Sequence, residues 1–254
     1  MSAVDLMRHA QAERFYDYFE LQIGFAELMA RRAGLTLSEA LARYTNLRQR
    51  FGLSEEHPAW LGYLDQAAAE GSTASRARLA QAVYRAFPEP ALPAGQTGFG
   101  CFACEPLPAE GVVRLHFHNR DPQGPLARER MAARRAEMRE MFAFLQRTAP
   151  EVRVVRGASW LHNLEAYRRL YPPAYAASRR LPDEPMRLSG SSTWGQFLDR
   201  EGRVKPHLKA QFLSGLDALD LERPWRSFPI RALAVEAPIE TFFDFLGLGP
   251  APSA

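Results

Sequence analysis

The chain is poor in the residues that most often announce a chemistry. Among its 254 residues are two cysteines and only two lysines, Lys205 and Lys209. No apolar run approaches the ~20 residues needed to cross a bilayer, so no membrane partner is expected. The opening MSAVDLMRHAQAERF is charged early and lacks an apolar stretch with a small-residue cleavage site, which argues against a secretory signal. Both cysteines sit in GFGCFACEPL, where an extended backbone would point them to opposite faces with no helix N-terminus to lower a thiol pKa. Free thiols in a cytoplasmic, reducing setting are the expectation, ahead of a redox pair or half a zinc site. No internal repeat is present.

What is there is ordinary in amount and unusual in kind. The 46% hydrophobic and 24% charged fractions are those of a soluble globular protein and leave ample apolar material for a core. Positive charge is almost all arginine, yet the net charge is only +3 because Glu and Asp are interspersed. That pattern predicts a mixed-charge surface and no nucleic-acid footprint.

Residues 3–87 read as helical. Met7, Ala10, Tyr18, Leu21, Phe25 and Leu28 keep helical spacing and Gly34 offers a stop. Thr36-x-x-Glu39 is a capping box opening a second helix that carries Leu37, Leu41, Tyr44 and Leu47 and ends near Gly52. A third helix is expected from Pro58 to Glu70, and a fourth, through Leu79, Val83 and Phe87, stops before Pro88. Short loops imply a helical bundle over residues 1–90. Within it, LMRHAQAE resembles the Arg-His motif of histidine phosphatases. That chemistry needs the imidazole at a strand end, and helical periodicity runs through this segment, so His9 is expected on a helix surface.

PEPALPAGQTG (88–98) reads as a linker. Beyond it the period changes: Gly98–Glu105 and Val112–Asn119 read as strands, a helix spans 126–147, and VRVVRGAS is a further strand leading into Trp160–Arg169. Val113, Leu115 and Phe117 would share one face, Arg114, His116 and His118 the other. The arginines and glutamates of the 126–147 helix predict a solvated face beside the apolar Met131, Met138, Met141, Phe142 and Leu145. A strand–helix–strand crossover of this length should be parallel, with a ligand beyond the strand ends. The remainder predicts a helix over 209–219, a strand in RALAVEA and a short helix in IETFFDFLGL. The expectation is an α+β protein: a helical bundle (1–90), then a mixed β-sheet domain with flanking helices (91–254).

Candidate chemistry gathers around the second strand. His116 and His118 form an H-x-H that a metal site can use, but only with ligands such as Asp121, His162 or His207 brought close. A Ser159–His–Asp121 set is conceivable, although Gly157-Ala-Ser159-Trp-Leu161 lacks the G-x-S-x-G elbow. Asn119, Arg120 and Gly124 lie in a loop whose following helix could present backbone N–H groups to an anion.

His116 in VRLHFH, Leu126 in GPL, and Ser159-Trp160-Leu161 followed by Leu164 and Leu170 together resemble the bacterial acyltransferase-domain proteins with a helical N-terminal part and a GNAT-like C-terminal half. The resemblance implies a GNAT-like fold and acyl transfer from a CoA-type donor to an acceptor that the sequence does not identify, with a small-molecule ligand as the expected kind of partner. No catalytic residue carries over from the family; the candidates read from the chain itself are His116, His118, Ser159 and His162, with His116 or His118 as general base. Asn119, Arg120 and Gly124 would then face the cofactor. The Arg/Gln-x-x-Gly-x-Gly/Ala segment that holds the pyrophosphate in that family is absent, and NRDPQGPL stands in its place. The alternatives are a non-enzymatic ligand- or protein-binding module and a metal-dependent hydrolase using the H-x-H strand.

Overall fold

A computed structural model describes residues 10–87, 92–93, 95–121, 123–182 and 186–249. His9 and residues 88–91 and 94 of the expected linker lie outside them. In chain order the helices are α1 (Tyr16–Ala33), α2 (Leu37–Tyr44), α3 (Leu47–Phe51), α4 (Pro58–Ala69), α5 (Thr73–Ala86), α6 (Met131–Thr148), α7 (Glu165–Arg168), α8 (Pro173–Ala177), α9 (Ser191–Trp194), α10 (Pro206–Gly215) and α11 (Glu240–Leu246). The strands are β1 (Thr97–Phe99), β2 (Phe102–Leu107), β3 (Val112–Phe117), β4 (Val154–Ser159) and β5 (Leu233–Pro238). The protein is an α+β fold with one five-stranded mixed sheet and flanking helices.

The chain forms two units, Met1–Ala91 with Glu184–Arg231, and Leu92–Asp183 with Ala232–Ala254. The sequence reading assigned everything after residue 90 to the sheet domain; residues 184–231 instead pack with the helices. The physical reason is a core that α1–α5 do not close alone. Trp194, Phe197, Phe212 and Phe228 are buried in the same cluster as Phe25 and Tyr44. The Trp194 ring lies 5.7 Å from Phe25 and 4.9 Å from Phe228, and its Nε1 donates to the Tyr44 carbonyl at 3.0 Å.

The helix starts follow their side chains. Thr36 and Glu39 form the expected reciprocal capping box of α2. The single helix expected from there to Gly52 is broken at Thr45–Asn46. Thr45 Oγ1 donates back to the Leu41 carbonyl at 2.7 Å, and the Asn46 N–H donates to the buried Gln22 side chain at 2.7 Å. Side chains thus satisfy the backbone groups that the break frees.

In the sheet unit the order is β1-β2-β3-β4-β5. The strand expected over Gly98–Glu105 is two strands of a hairpin, because Gly100 turns the chain at φ +60°. The strands β2 and β3 pair antiparallel through Gly111, whose carbonyl accepts from Arg153 and Val154 and so sets the start of β4. As expected of a long crossover, β3 and β4 are parallel, while β5 is antiparallel to β4. Met138, Met141, Phe142 and Leu145 of α6 pack on Val113 and Val155 together with Phe242 of α11.

Trp194→Ala is expected to lower stability by about 3–5 kcal/mol, read as a fall in the urea midpoint of the full chain followed by circular dichroism. An unchanged midpoint would mean that residues 184–231 do not seal the helical core.

Candidate functional site

Alternation along β3 sends its residues to two sides. Val113 is buried, with Leu115 and Phe117 against the same apolar cluster. Arg114 and His116 lie on the other face, where Arg114 is exposed and His116 half-buried. His116 Nε2 lies 2.9 Å from Glu105 Oε2 of β2. Burial pushes the imidazole pKa below its ordinary value, and the hydrogen bond and charge of Glu105 pull it only partly back. His118 falls past the last residue of β3, and its N–H donates to the Cys101 carbonyl at 2.8 Å.

The same face carries a row of charge in register across four strands: Glu105 opposite Arg114, Arg114 opposite Arg156, Arg156 opposite Glu236. Glu236 pairs with Arg156 at 3.2 Å and with Arg180 at 3.3 Å.

One step beyond this row the sheet opens. Strands β3 and β4 pair only at Val112–Val154, Val113–Val155 and Arg114–Arg156. Leu115–Phe117 stay paired with β2, and Gly157–Ser159 with β5, but not with each other. On the helix side of the parting lies an aromatic group of Phe117, His162, Tyr167, Tyr171 and Tyr175. Phe117 and Tyr167 are 5.2 Å apart, His162 and Tyr167 5.0 Å, and the Tyr171 hydroxyl donates to that of Tyr167 at 2.6 Å. His162 is buried and its Nδ1 has no hydrogen-bond partner among the described residues. Burial first, then the charges of Arg179 and Arg168, push its pKa down to about 4. Burial likewise holds Tyr171 and Tyr175 well above the ordinary phenol value. At neutral pH this is an uncharged group of one imidazole and three phenols. Gly157 belongs to it: a Cβ there would overlap the Tyr175 hydroxyl and come 3.5 Å from His162 Nε2.

The loop before α6 satisfies itself. Asp121, buried, accepts from the Gln123 N–H at 3.0 Å and from Arg130 Nε at 2.6 Å, and lies 3.3 Å from Arg134. Its carbonyl accepts the Gly124 N–H at 3.0 Å. Burial alone would raise the Asp121 pKa, but these donors outweigh it and hold the carboxyl below the usual range. Arg134, expected on a solvated face, is buried. It bonds Glu137 at 2.6 Å and points Nη1 at the Cys101 sulfur, while Glu137 also accepts the Cys101 N–H at 3.0 Å over Gly100. Asn119 and Arg120 are exposed, and Gly124 makes its turn at φ +92°. The amides of Gln123 and Gly124 and the guanidiniums of Arg130 and Arg134 are thus already engaged.

Other candidates are not brought together. The Ser159 Oγ accepts from the Leu161 N–H at 3.1 Å and caps the turn that follows, and Asp121 serves arginines, so no Ser159–His–Asp121 set forms. Among the described residues no group of three or more His, Cys, Asp or Glu side chains is placed to hold a metal. Cys101 and Cys104 are free and buried, and burial raises the Cys104 pKa to about 11. A shallow groove of about 470 Å³ between α6 and α11, lined by Met131, Arg135, Arg139 and Leu246 among others, contains none of the expected site residues. Sequence reasoning missed Glu105 and the arginine row, which depend on strand register. It also missed Arg134, although a signal existed: Arg134 stands at helical spacing between Met131 and Met138.

Compared with protein-family models, with curated proteins and with solved structures, the chain matches none.

Two outcomes test this geometry. Gly157→Ala is expected to destabilise the protein by about 1–3 kcal/mol, since Tyr175 is boxed in and cannot give way freely; a urea midpoint equal to the parent's would refute the close approach. His162 takes a proton more readily unfolded, near 6.5, than folded, near 4. Its contribution to stability is therefore complete above about pH 6.5 and is lost as pH falls toward 4, by on the order of 3 kcal/mol. His162→Gln should flatten that part of the stability curve in urea titrations, and an equally steep curve would show that His162 is not the neutral buried group.

Proposed function

We propose that the sheet unit is an acyltransferase of GNAT-like architecture, taking an acyl group from a CoA-type thioester to a small-molecule acceptor, with His116 as general base. The observation that carries this reading is the 2.9 Å contact of His116 Nε2 with Glu105 Oε2, beside the point where β3 parts from β4. With its proton on Nε2 and held by Glu105, the imidazole offers Nδ1 as the acceptor. A pKa below the ordinary 6.5 keeps it neutral at physiological pH. His116 removes the proton from the acceptor's amine or hydroxyl, which attacks the thioester carbonyl; the C–S bond then breaks and the thiol leaves.

The parted strands suit an elongated donor. Backbone groups of Leu115–Phe117 and Gly157–Ser159 that face one another across the parting are not paired together, and the amides of a pantetheine arm are chemically able to bond to them. The loop bearing Asn119, Arg120 and Gly124 contributes less than the sequence suggested, because Asp121 and Glu137 already engage Arg130 and Arg134. The donor is accordingly held by its arm more than by its phosphates. His162 and Ser159 serve as wall and cap, not as proton carriers. A second reading, a non-enzymatic binding face, is favoured by one observation: the His116–Glu105 pair adjoins a row of charged side chains in register across the sheet.

Thiol release from acetyl-CoA in the presence of a panel of amines tests the proposal. His116→Gln should lower kcat by about 100-fold or more with KM little changed, and Glu105→Gln by less. The parent's rate should rise through a pKa below 6.5. S-acetylpantetheine should bind nearly as well as acetyl-CoA. Absence of binding by either donor in millimolar calorimetry would sink the reading, and acceptor-like ligand binding without turnover would decide for the binding face.

A further inference from the structure

The charge row on the open sheet face is incomplete. Arg114 and Arg156 are in-register neighbours on parallel strands, whose backbones run about 4.8 Å apart, so two guanidinium stems leave the same face side by side. Like charges in that relation are unfavourable unless something shares them. Of the two carboxylates in the row, Glu105 is bonded to His116, and Glu236 is divided between Arg156 and Arg180. Arg114, exposed, has no ion-pair partner among the described residues.

We propose that Arg114 and Arg156 form an oxyanion-binding site that receives a carboxylate or phosphate of the acceptor molecule. Each guanidinium carries donors in a planar fork matched to such groups; both side chains are exposed, and Arg156 spends its Nε on Glu236 while no bond to its terminal nitrogens is seen among the described residues. This deepens, and rests on, the acyl-transfer reading. His116 follows Arg114 by two residues on the same face, about 7 Å along the strand. An anion held by the arginine pair therefore presents a nucleophile some way along the same molecule to the imidazole. The acceptor class is a small molecule whose amine or hydroxyl lies several ångströms from its anionic group.

The test needs no acyl donor, so it stands or falls apart from the transfer reaction. Inorganic phosphate and glutarate are titrated separately into the full chain by calorimetry at constant ionic strength, with chloride as control. The parent should bind at least one of them saturably, with Kd no weaker than about 10 mM. Arg114→Gln and Arg156→Gln should each weaken that binding at least about tenfold. Arg147→Gln, an exposed arginine of α6, should leave it unchanged. Arg114→Lys, which keeps the charge without the fork, should fall between. Circular dichroism and the urea midpoint confirm that each variant is folded. Binding of phosphate alone identifies a phosphorylated acceptor, and of glutarate alone a carboxylate. No saturable binding of either, or binding by Arg114→Gln and Arg156→Gln as tight as the parent's, overturns the assignment. His116→Gln should bind the anion like the parent; if it does so without any acyl transfer occurring in the parent, the anion site stands and the transfer reading falls.

Discussion

Three residues of parallel pairing, Val112–Arg114 against Val154–Arg156, are the constraint on which the sheet unit rests. They join an antiparallel hairpin to an antiparallel strand pair, and the α6 crossover exists to make that junction. Gly111 fixes its start by accepting two N–H groups from the β4 side. Because the pairing stops after three residues, β3 and β4 keep their other partners while leaving each other. One short junction thus places Arg114 beside Arg156, sets His116 just past it, and opens the backbone where Gly157 meets Tyr175.

Around that junction, polar groups are handled in two ways. On the helix side charge is removed: burial keeps His162 neutral and the tyrosines protonated, so aromatic rings close over the parting without an uncompensated ion. At the α6 start charge is kept and matched. Asp121, Arg130, Arg134 and Glu137 form a connected set in which removal of one member would leave another buried without a partner. That set ties the loop to the β1–β2 turn through the Cys101 N–H, giving the hairpin edge a fixed position. The open face differs from both, since Arg114 and Arg156 are exposed and only Arg156 is matched by a carboxylate among the described residues.

The helical unit answers a separate problem. The N-terminal helices share one buried cluster with the late segment, where Trp194, Phe212 and Phe228 form part of the same core. The broken α2–α3 helix is the local cost of this packing, with Gln22 and Asn46 buried to satisfy the freed amide.

Local chemistry was legible in the chain itself. The capping box at Thr36 and Glu39, the stop at Gly34, the alternation of β3 and the parallel sense of the long crossover follow from side chains a few residues apart or from connection length. The α+β class follows from them. What the sequence could not reveal depends on register and on distant partners. Glu105 meets His116 only because the hairpin turn at Pro108–Gly111 aligns β2 and β3 as it does. Arg156 joins Arg114 only through a strand pairing between segments far apart in the chain. The same holds for residues 184–231, whose aromatic pattern suits any apolar core equally. Periodicity says that a side chain is buried; tertiary structure alone decides against what.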